Sequence, residues 1–236
     1  MPSPFNVLLL DLNSTFMFGE DRFGPGQSYG DTYREAGGSD LSDAEVTAAV
    51  TELYEAMVTI GRTPARYDTF PSVGACLRAL PSTAGWGEAE LARLEHVVAV
   101  HELGHIPDPY AEVVRDLAAS HKIGLVSNLW SRKDLWVAEL ERVGLANVFE
   151  WLVFSSDGTS IKPSARIFSP ILSQWPGPRS RILMIGDSLT RDVAGAKAAG
   201  IKSLWLSNGA EPPPEAARPD FTTPDLLQLP SSGVIA

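Results

Sequence analysis

Asp11 ends an apolar run, Val7–Leu10, and opens the string Asp11-Leu12-Asn13-Ser14-Thr15. Three later apolar runs also end in polar residues. Residues 123–126 lead to Ser127-Asn128, Trp151–Phe154 to Ser155-Ser156-Asp157, and 182–185 to Gly186-Asp187-Ser188. Lys162 follows the third run in Ile161-Lys162-Pro163, and Asp192 lies five residues beyond Asp187. Carboxylates are hard oxygen ligands, so Asp11 and Asp187 could share Mg²⁺, with Asp192 supporting the metal or its waters. Ser127 offers a hydroxyl donor and Lys162 a positive charge to the remaining oxygens of a phosphate. One carboxylate could then attack as a nucleophile and form an acyl phosphate. Each group is a weak signal alone; their order at successive run ends is a strong one.

The elements that must hold these groups are strands. Short continuous apolar runs suit strands buried on both faces of a parallel sheet, and a fifth run, 203–206, follows Gly200. Helical patterns lie between them at 110–120, 133–143, 165–173 and 190–199, with Gly144 and Gly200 just past two of the ends as C-caps. Such alternation predicts βαβ units, an α/β fold with a doubly wound, mainly parallel, Rossmann-like sheet. In that arrangement ligands bind beyond the carboxyl ends of the strands, where the polar residues fall.

From residue 19 to 107 the rhythm breaks. Helices are predicted at 42–61, 87–103 and 73–80, the first with a capping box in Ser42-Asp43-Ala44-Glu45. So long a helical stretch between the first two strands is an insertion and not a loop. The expected organisation is an α/β core of residues 1–18 and 106–236 and an inserted α-helical cap of residues 19–105. The tail from Glu211, with Pro212-Pro213-Pro214, reads as irregular surface chain.

With 236 residues, 44% hydrophobic and 20% charged, the chain has the balance of a globular protein and ample length for a full core. Its net charge of −10 argues against nucleic acid as a partner. The amino-terminal apolar run is too short for a signal or a membrane span, and a lone cysteine, Cys76, suits a reducing compartment. The expectation is a cytoplasmic protein without membrane partners, a monomer or homodimer.

The motifs Leu9-Leu10-Asp11-Leu12-Asn13-Ser14-Thr15, Leu125-Val126-Ser127-Asn128, Ile161-Lys162-Pro163 and Ile185-Gly186-Asp187-Ser188 through Arg191-Asp192 resemble, in order, those of the haloacid dehalogenase-like (HAD) hydrolase superfamily, most of whose members are Mg²⁺-dependent phosphatases. The resemblance spans residues 5–206, and the helical insertion is similar to that family's first cap type. It implies Asp11 as nucleophile, with Thr15, Ser127, Asn128 and Lys162 around the substrate phosphate. Asp11, Asp187, Asp192 and the backbone carbonyl of Asn13 would then surround the metal. The implied ligand is a small phosphorylated metabolite.

Asn13 departs from the pattern. Family phosphatases carry a second aspartate there, which protonates the leaving alcohol and later activates water. An amide cannot exchange that proton near neutral pH, and losing such a group costs about 10²–10⁴-fold in rate. Three readings remain open: a phosphatase whose acid–base lies elsewhere, a 2-haloacid dehalogenase, or a catalytically impaired protein that binds a phosphorylated ligand. Glu20, Asp21 and Asp31 are candidates for the missing acid–base, and Arg22 and Arg34 for contacts to a substrate anion.

His101-Glu102-Leu103-Gly104-His105 matches the H-E-x-x-H pattern of zinc peptidases. Gly104 and Pro107 put it at a failing helix end, so the preferred reading is a polar helix end where the cap rejoins the core.

Overall fold

The computed structural model describes residues 3–235. Strand β1 (Val7–Leu10) lies at the centre of a six-stranded, all-parallel sheet with β2 (Lys122–Ser127), β3 (Trp151–Phe154), β4 (Ile182–Gly186), β5 (Lys202–Leu206) and β6 (Phe221–Thr223). The order β3-β2-β1-β4-β5-β6 sends the chain outward on one side of β1 and then back across it to β4. Leu10 is level with Leu125 on one neighbour and Ile185 on the other. The polar residues following these strands therefore emerge together at the crevice where the winding reverses.

Both faces of the sheet are covered, which is why the strands read as unbroken apolar runs. Leu8 and Leu10 pack on one side with residues of α5 (Asp108–Ala118) and α6 (Asp134–Arg142). Val7 and Leu9 pack on the other with the 3₁₀ turn Ala165–Phe168, α7 (Ser169–Gln174) and α8 (Ala194–Ala199). The helices expected at 165–173 and 190–199 are each composite: the 3₁₀ turn runs into α7, and a π-helical turn, Leu189–Val193, runs into α8. That π turn carries Asp192 and is capped by Ser188.

Between β1 and β2 come α1 (Tyr29–Glu35), α2 (Asp43–Gly61), α3 (Val73–Ala79) and α4 (Glu88–Glu102), which share a separate apolar cluster. The capping box at α2 forms as expected: Glu45 N donates to Ser42 Oγ at 3.3 Å, and Ser42 N donates to a Glu45 carboxylate oxygen at 2.8 Å. Helix α1 was not anticipated from sequence. It is only seven residues long, held by Tyr29 and Tyr33 packing one turn apart into the cluster.

The tail corrects the expectation of irregular chain. Phe221–Thr223 extends the sheet beside β5, and Leu226, Leu229 and Ile235 are buried in the Leu8/Leu10 core. Asp220 secures the new edge, accepting from Ser203 N at 3.0 Å and from Ser203 Oγ at 3.1 Å. Three residues among prolines carry too little alternation to announce a strand. Among the described residues no helix is long and apolar enough to cross a membrane.

Candidate active site

Lys162 organises the crevice. It is 1% exposed, and its Nζ lies 2.6 Å from Asp11 Oδ1 and 2.7 Å from Asp192 Oδ1. Burial alone would depress the lysine, but the two carboxylates outweigh it and hold the ammonium charged, with its pKa raised. Asn128, at the end of β2, fixes the main chain there: Lys162 N donates to its Oδ1 at 2.8 Å and its Nδ2 donates to Lys162 O at 3.1 Å. The Asn128 amide is thus engaged with the backbone of Lys162.

Asp192 is itself buried, and its Oδ2 accepts from Ser188 N at 2.9 Å. A side chain at Gly186 would collide with that carboxylate, so β4 must end in glycine for Asp192 to turn in. Burial pushes Asp192 up to about 6 against the pull of Lys162. Burial, followed by the charges of Asp11 and Asp192, pushes half-buried Asp187 up to about 7. Oxygens of Asp11, Asp187 and Asp192 lie within 4.8 Å of one another, the one such group among the described residues. Three carboxylates against a single ammonium leave negative charge uncompensated, and an all-oxygen donor set of this kind fits a hard divalent cation such as Mg²⁺.

Ser127 Oγ, Thr15 Oγ1 and Asn13 Oδ1 are buried and have no hydrogen-bond partner. Asn13 lines a cleft of about 260 Å³ with Asp11, Asn128, Lys162 and Asp187, and Ser127 ends β2 immediately before Asn128. Orphaned hydroxyls at strand ends are uncommon, and an oxyanion is the ligand that would satisfy them.

The other wall belongs to the chain leaving β1. Phe18 and His105 exchange backbone hydrogen bonds of 2.9 and 2.8 Å, and Arg22 N donates to His101 O at 2.8 Å, so residues 18–22 run antiparallel to 101–105. A Cβ at Gly104 would sit 2.9 Å from Phe18 O, so glycine permits this approach. Glu20 and Asp21 enter the cleft from this flap. Asp31 does not: it is exposed and paired with Arg34 at 2.7 Å. Neither arginine is free for a substrate. Arg34 also pairs with Asp43, and the Arg22 guanidinium donates to Gly19 O at 2.9 Å, Leu103 O at 2.6 Å and Val100 O at 2.5 Å.

The H-E-x-x-H residues do not converge. His101 is buried between Thr32 Oγ1 at 3.1 Å and Arg22 O at 3.2 Å, and burial lowers its pKa. His105 lies beyond the helix and approaches Glu139 at 3.1 Å. Glu102, however, is more than a polar helix end. It lines the cleft beside Lys162, and its two oxygens accept from Trp130 N at 2.7 Å and Ser131 N at 2.9 Å. The sequence signal for it was a glutamate at the joint between α4 and the returning chain, masked by the zinc-like spelling around it.

Burial raises Glu102 from 4.5 to about 7, although the backbone donors favour its charged form. A carboxyl raised on folding stabilises fully below its unfolded pKa, and that contribution is lost as pH rises through the folded value. Wild type should therefore lose stability relative to Glu102→Gln between pH 4.5 and about 7, by roughly 2–3 kcal/mol. Urea unfolding of both proteins across that range measures it, and parallel curves would contradict it.

A lysine-bridged carboxylate cluster at the switch point of a parallel sheet defines the class of an α/β protein with a candidate ligand site there. Comparison with known proteins narrows the class. The HAD-hydrolase-like family model matches residues 161–229, which include Lys162, Asp187 and Asp192. Pyrimidine 5′-nucleotidase YjjG of Escherichia coli is 38% identical over 109 residues, 46% of this chain and 48% of that protein. Phosphoserine phosphatase of Thermus thermophilus is 30% identical over 122 residues, 51% of this chain and 49% of that protein. The chain spans about half the length of these curated relatives in the match. The 2-haloacid dehalogenase of Pseudomonas syringae pv. Tomato superposes with a TM-score of 0.65 at 20% identity, over 96% of this chain and 97% of that one, a likeness of fold. The family model, these relatives and the shared fold support a haloacid dehalogenase-like hydrolase.

Proposed function

We propose that this protein hydrolyses a small phosphomonoester with Mg²⁺, through an aspartyl phosphate on Asp11. The observation that carries the reading is the buried Lys162 ammonium bridging Asp11 and Asp192 beside Asp187. Asp11 attacks phosphorus in line, while Lys162 and Ser127 hold the equatorial oxygens. Asn128 keeps Lys162 in register through its backbone. Asp11, Asp187, Asp192 and the Asn13 carbonyl would hold Mg²⁺, which when bound neutralises phosphate charge and orients it for attack. Residues 1–18 and 106–236 form the core in this reading, and residues 19–105 form a cap over the cleft that selects the substrate. The phosphatase reading is preferred to the dehalogenase one because a halide leaving group has no use for this many metal-ligating carboxylates.

The cleft also favours a kind of leaving group. Asp11, Glu20, Asp21, Glu102 and Asp187 face it against only Lys162 and Arg191. Trp130 lines it as part of an aromatic group with Phe23 and Tyr54, at centroid distances of 6.0 and 5.7 Å. A substrate with a second anion beside its phosphate is repelled, and a neutral, planar one can stack. Of the two relatives' substrates, a nucleotide suits this wall better than phosphoserine. Buried free Cys76 is in keeping with a cytoplasmic setting.

The test is phosphate release from a panel of phosphomonoesters, with Mg²⁺ and with chelator. Metal-dependent release is expected, at least about tenfold faster in kcat/KM for aromatic alcohols than for carboxylate-bearing ones, a difference of roughly 1.4 kcal/mol. Tight Mg²⁺-dependent binding of these compounds without release would instead favour the binding-protein reading.

A further inference from the structure

We infer that Asp21 is the general acid–base of the reaction proposed above, on which this assignment rests, and that it supplies the proton Asn13 cannot. The cleft offers three carboxylates besides those around Lys162, and their hydrogen bonding separates them. Glu102 is 3% exposed and both its oxygens accept from backbone amides. Glu20 accepts from Ser14 Oγ at 2.6 Å. The Asp21 carboxyl has no hydrogen bond or ion pair among the described residues and opens onto the cleft. Of the three, it alone has both oxygens free for a leaving group.

Its backbone is held for such a task. Asp21 has a φ of +54°, a left-handed conformation that residues other than glycine adopt seldom. The surroundings impose it: Asp21 N donates to Glu102 O at 3.3 Å and Phe23 N donates to Asp21 O at 2.8 Å. The neighbouring Arg22 side chain ties Gly19 on the flap to Val100 and Leu103 at the end of α4. Strained positions that the fold over-determines cluster at reacting centres. Asp21 is exposed at the mouth of the cleft, where partial desolvation, then the Glu20 charge, raises it to about 6 while Arg191 pulls it down, and Glu102 faces it from α4. A carboxyl in that range gives up and regains a proton near neutral pH.

The step balances without another reactant. An Asp11 oxygen forms a bond to phosphorus as the bond to the ester oxygen breaks, and that oxygen takes the proton of Asp21. The Asp21 carboxylate then takes a proton from water as the water oxygen attacks phosphorus. The bond to Asp11 breaks, and phosphate leaves with both side chains restored.

First-turnover rates test this with an alkyl phosphate, whose leaving oxygen needs a proton, and p-nitrophenyl phosphate, whose leaving group departs as an anion. Asp21→Asn should slow the alkyl ester about 10²–10⁴-fold and the aryl ester by less than about tenfold. Adding Asn13→Asp to Asp21→Asn should restore the alkyl ester. A purely structural loss would slow both esters alike. Equal slowing of both, slowing of neither, or a wild type that releases phosphate only after Asn13→Asp overturns Asp21 and leaves the phosphatase reading intact. Undiminished release from Asp11→Asn removes that reading itself.

Discussion

Asp11→Asn is expected to abolish phosphate release while leaving the fold and phosphate binding in place. Losing a nucleophile in a hydrolase costs on the order of 10⁴–10⁶-fold, because the remaining groups bind and polarise but form no covalent intermediate. The substitution is nearly isosteric, and Asp11 N still donates to Ile185 O at 2.9 Å, so β1 and the sheet have no reason to move. Removing one charge relieves repulsion among three crowded carboxylates but also takes one of the two ion pairs from Lys162. Because these effects oppose each other and Asp192 still pairs with the ammonium, the fold should be retained. The comparison is a phosphate-release assay beside a urea titration. Residual activity within tenfold of wild type would exclude Asp11 as the attacking group.

Lys162→Met should damage both stability and rate. The ammonium is the only cation within salt-bridge distance of Asp11 or Asp192 among the described residues, and breaking a buried pair by deleting one partner costs about 3–5 kcal/mol. Methionine keeps the apolar length of the stem, so the loss is of charge and not of packing. Catalysis should fall about 10²–10³-fold as a charge on the phosphate oxygens disappears. Mg²⁺ should recover part of the stability and little of the rate, since binding to the native state alone stabilises by mass action. Unfolding curves with and without Mg²⁺ measure the first effect, and single-turnover kinetics the second. A variant as stable as wild type would mean that the neighbouring carboxylates are neutralised some other way.

Regularity decides how much of this was legible in advance. Strand β1 was readable because a strand buried on both faces must be apolar throughout, and all four of its residues are fully buried. The box at Ser42 was readable because capping is local. Strand β6 and helix α1 were not, being three and seven residues long and held by contacts across the chain. The composite helices at 165–174 and 189–199 kept their expected positions and changed only in winding.

The same division runs through the site. The nearness of Asp11 and Asp187 was legible because each directly follows a strand of one parallel sheet, whereas Lys162 and Asp192 are brought to them by a loop and a π turn. Asn13 was legible as a departure from the motif that the sequence resembles. Which acidic side chains reach the cleft was left to the tertiary structure. Glu20, Asp21 and Asp31 are equivalent as letters, and only the antiparallel run of 18–22 against 101–105 turns two of them inward. The tertiary structure also engages Arg22 with backbone carbonyls, pairs Arg34 with Asp31 and Asp43, and sets Glu102 in the cleft wall. The Arg22 contacts reach across 81 and 78 residues of chain and that of Glu102 with Trp130 across 28, and the free energy of a carboxyl depends on what faces it, which no local pattern encodes.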